Sequence, residues 1–432
     1  MRIDKLYLKN FRNVEDQTFR FNPHFTVLIG INGRGKSSWL HGLRVACGAY
    51  LLGIPDANKR HIENAEIRRK ANGVLLPQLP VIVEATGSVD RNTPESIVWR
   101  RQIQEGKRGN TYTIKDVGTV RNIGKTKYDR MMTTGAEDLD LPVIAYFGTA
   151  RLHGGARNRS APRIGREIFR EGYYSWFDMR SHSFKYDSWL RTYDALAESG
   201  KEYPESKAAF FDTLKAANPY IKKINFVSAE LWLQVEMDDY SSEYLPIQYH
   251  SDGVKSFTEM TAELAYRCIV MNGYKRENVV KDTSGIVLID ELDLHLHPNW
   301  QRHVVGDLKR AFPSIQFVAT THSPFIVQSL AKDELINLDP DTEGVEQNPF
   351  DYGIEDVAEI EMGVEDVARS EAFKTRVEIA SAYYKFIAQG KTSENDQEVA
   401  ELRRQLNELE ERFSDDAAFV ATLKLEREAA NL

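Results

Sequence analysis

Apolar positions change their period along the first thirty residues. Residues 2–8 (RIDKLYL) alternate apolar and polar side chains, the two-residue period of a strand buried on one face. HFTVLIG (24–30) is nearly continuous in apolar residues, as a strand covered on both faces requires. PVIAYFG (142–148), GIVLIDEL (285–292) and IQFVATTHS (315–323) read the same way. VIVEATGSV (81–89), SIVWRRQIQ (96–104) and TYTIKDV (111–117) are separated by Gly/Asn/Pro turns and predict an antiparallel β subdomain beside the buried strands.

Helical spacing fills much of the rest. SSWLHGLRVACGAYLLG, from Ser37, predicts a helix ending near Gly53-Ile54-Pro55. Residues 165–240 read mainly as helices, aromatic-rich around Tyr173–Phe184, with extended pieces near 223–236. Further helices are expected from about 251 to Met271, over 299–311, and from 353 onward. In the last stretch Leu402, Leu406, Leu409 and Phe413 form an apolar stripe, suited either to capping the domain or to docking a partner. No internal repeat or sustained heptad occurs. The fold class expected is α/β, with a mixed core sheet, an antiparallel β subdomain, a helical lobe and a helical tail.

Composition narrows the classes. Of 432 residues, 42% are hydrophobic and 28% charged, an ordinary globular balance that excludes disordered, collagen-like and disulfide-stapled chains. No apolar run is long enough for a membrane span, and MRIDKLYLKNF lacks the apolar core of a signal peptide. Cys47 and Cys268 are the two cysteines, too far apart in sequence to form a metal or redox motif, and a cytoplasmic setting is expected. Net charge is −8, unevenly spread. Residues 339–432 hold 24 acids and 10 bases, so the acidity belongs to the tail and the body is mildly basic.

Candidate chemistry begins at the second strand. Gly30-Ile31-Asn32-Gly33-Arg34-Gly35-Lys36-Ser37 fits G-x-x-x-x-G-K-[ST] between a strand and a helix. Glycines let backbone N–H groups turn inward around a phosphate, Lys36 supplies a point charge, and the Ser37 hydroxyl suits Mg²⁺. Asn32, Gly33, Gly35, Lys36, Ser37 and Ser38 are therefore the expected nucleotide-binding residues. The strand Ile286–Ile289 ends in Asp290-Glu291, and adjacent carboxylates at a buried strand end call for a cation. Asp290 is expected to share Mg²⁺ with Ser37, and Glu291 to polarise the attacking water. His322, after the next core strand, is placed to contact the γ-phosphate or to orient water. His250-Ser251-Asp252-Gly253 opens a helix where a hydroxyl and backbone N–H groups could meet an anion, but on these residues alone it reads better as an N-cap. His295-Leu296-His297 lacks a third metal ligand and reads as a packed turn.

The order of these motifs resembles the ABC-type ATPase superfamily in its RecF/SMC-like branch, and LKNFRNVE near the N-terminus looks like that branch too. The resemblance implies ATP and Mg²⁺ as ligands. It implies head-to-tail dimers in which Ser251 and Gly253 of one copy cap ATP held by Lys36 of the other. It also puts Asp293, His295 and His297, in the loop Leu292–Pro298, at the dimer seam. It divides the chain into an N-terminal ATPase lobe (1–150), a helical lobe with the signature (151–273), the rest of the ATPase core (274–338) and an acidic tail for oligomer or partner docking (339–432). Two features depart from the family: no glutamine follows the strand at 142–148, where Arg151 is the available substitute, and HSDGVK stands where Leu-Ser-Gly-Gly is commoner.

IDELDLHLHP, THSPFIV (321–327), YGIEDVAEIEMGVED (352–366) and LNELEERFSDD (406–416) resemble ATPase subunits of bacterial anti-phage defence, most closely the PtuA family of the Septu system, with parts shared by OLD-like ATPases. Such a family implies a separately encoded small HNH nuclease (PtuB) as partner. This chain shows no HNH or Toprim constellation, so cleavage would belong to that partner. Two other outputs stay open: a stand-alone RecF/SMC-like DNA repair or DNA-sensing ATPase, and a transporter motor, for which the spacing between Ser37 and Ser251 is long. Arg100, Arg101, Lys107, Arg108, Lys115, Arg121, Lys125, Lys127 and Arg130, expected mostly on hairpins, together with Arg151, Arg157, Arg159, Arg163, Arg166 and Arg170, suit DNA phosphates, a solvated surface or intersubunit salt bridges with the acidic tail.

Overall fold

The computed structural model describes residues 1–364 except 56, 73, 91–94, 107–113, 136–137, 153–167, 179–183, 238–239 and 340–346, and beyond 364 only 379, 382–383, 385–386, 389 and 397–412. The chain divides into two compact units, Met1–Met362 and Gly363–Leu432. In the second, a helix spans Gln397–Arg412. Of its expected stripe Leu402 is half-buried, while Leu406, Leu409 and Phe413 lie outside the described side chains.

The first unit is organised by two sheets. β1 (Arg2–Phe11), β2 (Val14–Arg20), β6 (Val81–Ser88) and β7 (Ile97–Ile103) form an antiparallel sheet in the order β2-β1-β6-β7. β1 carries a bulge between Ile3 and Lys5 and a positive φ at Asn10, and its buried residues fall at Ile3, Leu6, Leu8 and Phe11 rather than at every second position. A small hairpin, β4 (Arg69–Asn72) with β5 (Val74–Pro77), leads into β6.

The core sheet has the order β15-β3-β14-β13-β8: Leu335–Asn337, Phe25–Ile29, Ile315–Thr320, Gly285–Ile289 and Val143–Phe147. Every residue of β3, β8, β13 and β14 is buried, which accounts for their predominantly apolar sequences. All its pairings are parallel, so the expectation of a mixed core sheet is corrected: antiparallel pairing is confined to other sheets. Parallel pairing puts the C-terminal ends of all five strands along one edge, where ligands bind in open α/β sheets.

Helices cover the sheet. α1 (Lys36–Leu51) follows β3, and α2 (Ile114–Thr134) packs against it. The strand expected at 111–117 is thus corrected: 107–113 lie outside the described residues and the chain from 114 is helical. Seven residues read as alternating because the window was too short. Val117, Val120, Gly124 and Lys127 are buried at helical spacing. Two glycines allow the close packing. A Cβ on Gly124 would lie 2.5 Å from the Tyr50 carbonyl oxygen, and one on Gly53 would lie 2.1 Å from that of Arg121.

α3 (Ile168–Gly172), α4 (Tyr186–Glu198) and α5 (Ser206–Ala217) precede the hairpin β9 (Ile221–Val227) and β10 (Glu230–Met237). Short strands β11 (Tyr240–Ser241) and β12 (Leu245–Pro246) pair with β10. α6 (Asp252–Asn272) is buried along most of its length. Within it Glu263 and Arg267, both fully buried, form an ion pair, and Arg267 also donates to the carbonyls of Gly172 and Tyr174. Burial pushes the Glu263 carboxyl up, while Arg267 and the backbone N–H groups of Lys185 and Tyr186 oppose it. This network ties the aromatic stretch to the centre of the lobe.

Candidate nucleotide site

The sheet edge explains how distant residues meet. The phosphate loop follows β3, Gly148–Arg151 follow β8, Asp290-Glu291 follow β13, Thr321-His322 follow β14 and Asp339 lies just beyond β15. A cavity of about 560 Å³ opens there. Asn32, Gly33, Gly35, Lys36, Ser37 and Ser38 line one side, and Asp290, Glu291, Thr320 and His322 the other.

In the loop, Gly30, Gly33 and Gly35 have φ of 143°, 91° and 104°, a backbone that favours glycine. Lys36 begins α1 and its ammonium donates to the carbonyls of Gly30 (2.5 Å) and Ile31 (3.4 Å). Burial lowers the Lys36 pKa, and Asp339, Asp290, Glu291 and Asp293 act against that shift. Among the described residues no carboxylate comes within ion-pair distance of this lysine, so its charge is held beside the loop by carbonyl oxygens alone.

Two residues that sequence reasoning did not select shape the loop. Asn13 donates to the Gly33 carbonyl (2.8 Å) and accepts from the Ser38 hydroxyl (2.7 Å). A Cβ on Gly35 would approach the Asn13 side chain to 2.7 Å. Asp339 accepts from the Ile31 N–H (2.7 Å) and from the Arg34 guanidinium (2.8 Å). Asn13 belongs to the LKNFRNVE stretch; Asp339 gives no local signal, since its contacts cross some 305 positions of chain.

The acidic side is tightly built. Asp290 is 9% exposed and accepts from the Thr320 hydroxyl (2.6 Å), which itself accepts from the Glu291 N–H (2.8 Å). Glu291 has φ 50°, a left-handed conformation worth roughly 1–3 kcal/mol of strain in a residue with a side chain. Asp293 accepts from the Thr321 hydroxyl (2.6 Å) and the His322 N–H (3.2 Å). The resemblance placed Asp293 at a dimer seam; its carboxylate is engaged within its own chain. His295, His297 and His322 are exposed.

Ser251 and Gly253 do not line the cavity. Ser251 is the exposed N-cap of α6 and makes no side-chain cap bond, so the N-cap reading supplies position without the hydrogen bond. Gly253 is buried, and a Cβ there would lie 2.1 Å from the His295 carbonyl oxygen. The signature glycine is thus required by the approach of the Leu292–Pro298 loop.

Arg151, offered as a stand-in for the family's glutamine, is corrected too: it is buried beneath the strand end and does not line the cavity. The basic set divides likewise. Arg101 is fully buried, Lys127 is buried and paired with Asp90, and Arg100 pairs with Glu84. Lys115, Arg121, Lys125, Lys127 and Arg130 stand on α2 rather than on hairpins, while Lys107, Arg108, Arg157, Arg159, Arg163 and Arg166 lie outside the described residues.

The donor set fits a magnesium nucleotide. Mg²⁺ takes hard oxygen ligands, and the Ser37 hydroxyl and the Asp290 carboxylate both line the cavity that holds the phosphate loop. A parallel sheet with a phosphate loop after one strand and paired acids after another defines a P-loop nucleotide-binding head. The AAA-domain family profile matches residues 5–243, more than half of the chain, and a second AAA-domain profile matches 166–328. This chain belongs to the AAA-domain family.

Similar proteins include the Septu protein PtuA of Bacillus thuringiensis, 39% identical over 132 residues that cover 28% of this chain and 32% of that one. The Retron Ec83 probable ATPase of Escherichia coli is 34% identical over 119 residues, 28% of this chain and 21% of that one. The matched stretches thus span about a third or less of these relatives' lengths. The SMC head domain from Thermotoga maritima aligns with 78% of this chain and 94% of its own, at 14% identity and a TM-score of 0.44.

Proposed function

We propose that this chain is the ATP-hydrolysing subunit of a cytoplasmic anti-phage defence complex. The observation behind the ATPase reading is the meeting of Lys36, Ser37, Asp290, Glu291 and His322 on one cavity. The triphosphate lies along the N–H groups of Gly33–Ser37 at the start of α1, where the helix dipole favours anions. Lys36 exchanges its carbonyl partners for phosphate oxygens. Ser37 and Asp290 would hold Mg²⁺, which when bound would neutralise charge on the phosphates. Glu291 takes the proton of the attacking water, and His322 faces the γ-phosphate from the end of β14.

Ser251 and Gly253 of a second, head-to-tail copy complete the enclosure. The exposure of Ser251 at the start of α6 supports this reading. The partner reading is a separate HNH-type nuclease (PtuB-like) whose action ATP controls. It is supported by similarity to Septu PtuA and a retron ATPase. The alternative is a RecF/SMC-like DNA-sensing ATPase; burial of Arg101, Lys127 and Arg151 removes part of the basic surface it would use.

Co-expression with the product of the adjacent reading frame tests the proposal. The expected outcome is a nuclease that co-elutes with this chain and whose cleavage changes with MgATP. A chain that purifies alone and binds DNA tightly in a salt-sensitive manner would favour the alternative.

A further inference from the structure

Arg151 occupies the short helical turn Thr149–Leu152 after β8, and its side chain is directed into backbone. Nη1 donates to the carbonyls of Gly148 (3.1 Å) and Asp290 (2.6 Å), and Nη2 to that of Glu291 (2.7 Å). The residue is only 5% exposed, and among the described residues no carboxylate side chain forms an ion pair with it. Burying a guanidinium on three carbonyls is costly unless the geometry it imposes is needed.

That geometry concerns one residue. The carbonyls of Asp290 and Glu291 belong to the two peptide planes on either side of the Glu291 Cα, and the torsions between those planes are its φ and ψ. Thr320 holds the opposite ends of both planes: its hydroxyl accepts from the Glu291 N–H, and its carbonyl accepts from the Leu292 N–H at 2.8 Å. Arg151 and Thr320 together fix a left-handed glutamate that sterics disfavour. A planar fork can span both planes, whereas an ammonium is a single point.

We infer that Arg151 is a positioning residue for hydrolysis, which holds the backbone of Glu291 so that its carboxylate is directed at the attacking water. This rests on the reading of Glu291 as the group that polarises that water. It gives the turn after β8 a mechanical role in place of contact with the γ-phosphate.

The test uses the full chain carrying Arg151→Lys, Arg151→Gln, Glu291→Gln, or Glu291→Gln with each Arg151 change. Affinity is read with a fluorescent ATP analogue and turnover as kcat and KM. For both Arg151 variants, affinity and KM stay within about two-fold, while kcat falls on the order of 10²-fold, as for a misplaced reacting group. In the Glu291→Gln background the Arg151 changes add almost nothing, since both act through one carboxylate. Unchanged kcat in the Arg151 variants overturns the inference, as do losses that multiply in the double variants. Loss of nucleotide binding in both Arg151 variants also overturns it, by assigning a purely structural role. Normal turnover in Glu291→Gln alone would instead remove the underlying reading of Glu291, and the inference with it.

Discussion

The two walls of the nucleotide cavity are built in opposite ways. Ile31, Asn32, Gly33 and Arg34 in the phosphate loop are all exposed, three of the loop's glycines sit at positive φ, and Asn13 and Asp339 brace it from distant parts of the chain. The acidic wall is packed, with Asp290, Thr320 and Arg151 buried and a strained Glu291 pinned from two sides. The contrast follows from what each wall must do. A phosphate loop can be completed by the ligand, whose oxygens satisfy the N–H groups that face it. A carboxylate that takes a proton must be placed before the water arrives, because reorganisation during reaction costs rate.

That comparison can be broken at either wall. The largest effect is expected from Glu291→Gln: turnover falls by roughly 10²–10⁴-fold, the range for a lost general base, while MgATP affinity is retained. Steady-state turnover together with a binding titration checks this, and equal losses in both would erase the distinction between the walls.

Gly253→Ala comes next. Its methyl must displace the His295 carbonyl, so a loss of about 1–3 kcal/mol is expected from overpacking, visible as a lower melting temperature. An unchanged melting temperature would mean that the Leu292–Pro298 loop is free to move aside.

Asn13→Ala removes two hydrogen bonds from the phosphate loop. Weaker nucleotide binding by up to about five-fold is expected, or roughly 1 kcal/mol, with little change in kcat. A selective effect on kcat would place Asn13 on the wrong side of the comparison.

Asp339→Asn is the mildest change. The amide oxygen still accepts from the Ile31 N–H, and the lost charge faces an Arg34 side chain that is 40% exposed. Solvent screening limits the cost to below about 1 kcal/mol, read as less than a five-fold change in nucleotide affinity. A larger change would show that the loop depends on this carboxylate's charge.

In both walls the sequence disclosed the groups that meet the ligand and not the residues that hold them. Lys36, Ser37, Asp290 and Glu291 could be read directly, because phosphate and metal chemistry restricts residue type at fixed spacing and four predominantly apolar strands locate the sheet edge. The supports could not. Asn13, Asp339, Thr320 and Arg151 act through contacts between residues far apart in sequence, and an isolated Asn, Asp, Thr or Arg has no period to betray it. Arg101, Lys127 and Arg151 looked like a surface patch because charge in a sequence carries no sign of burial; each is buried because backbone oxygens or a carboxylate receive it. At the start of the helix Ile114–Thr134 a short alternation masks a longer helical spacing.

The central claim is that Lys36 and its loop hold a magnesium-bound triphosphate. Calorimetric titration of the full chain with MgATP, beside Lys36→Ala, tests it most directly. Saturable binding by the native chain, weakened on the order of 100-fold by loss of a charged phosphate contact of about 2–3 kcal/mol, is the predicted result. Indistinguishable isotherms for the two proteins, or no heat from either, would contradict it.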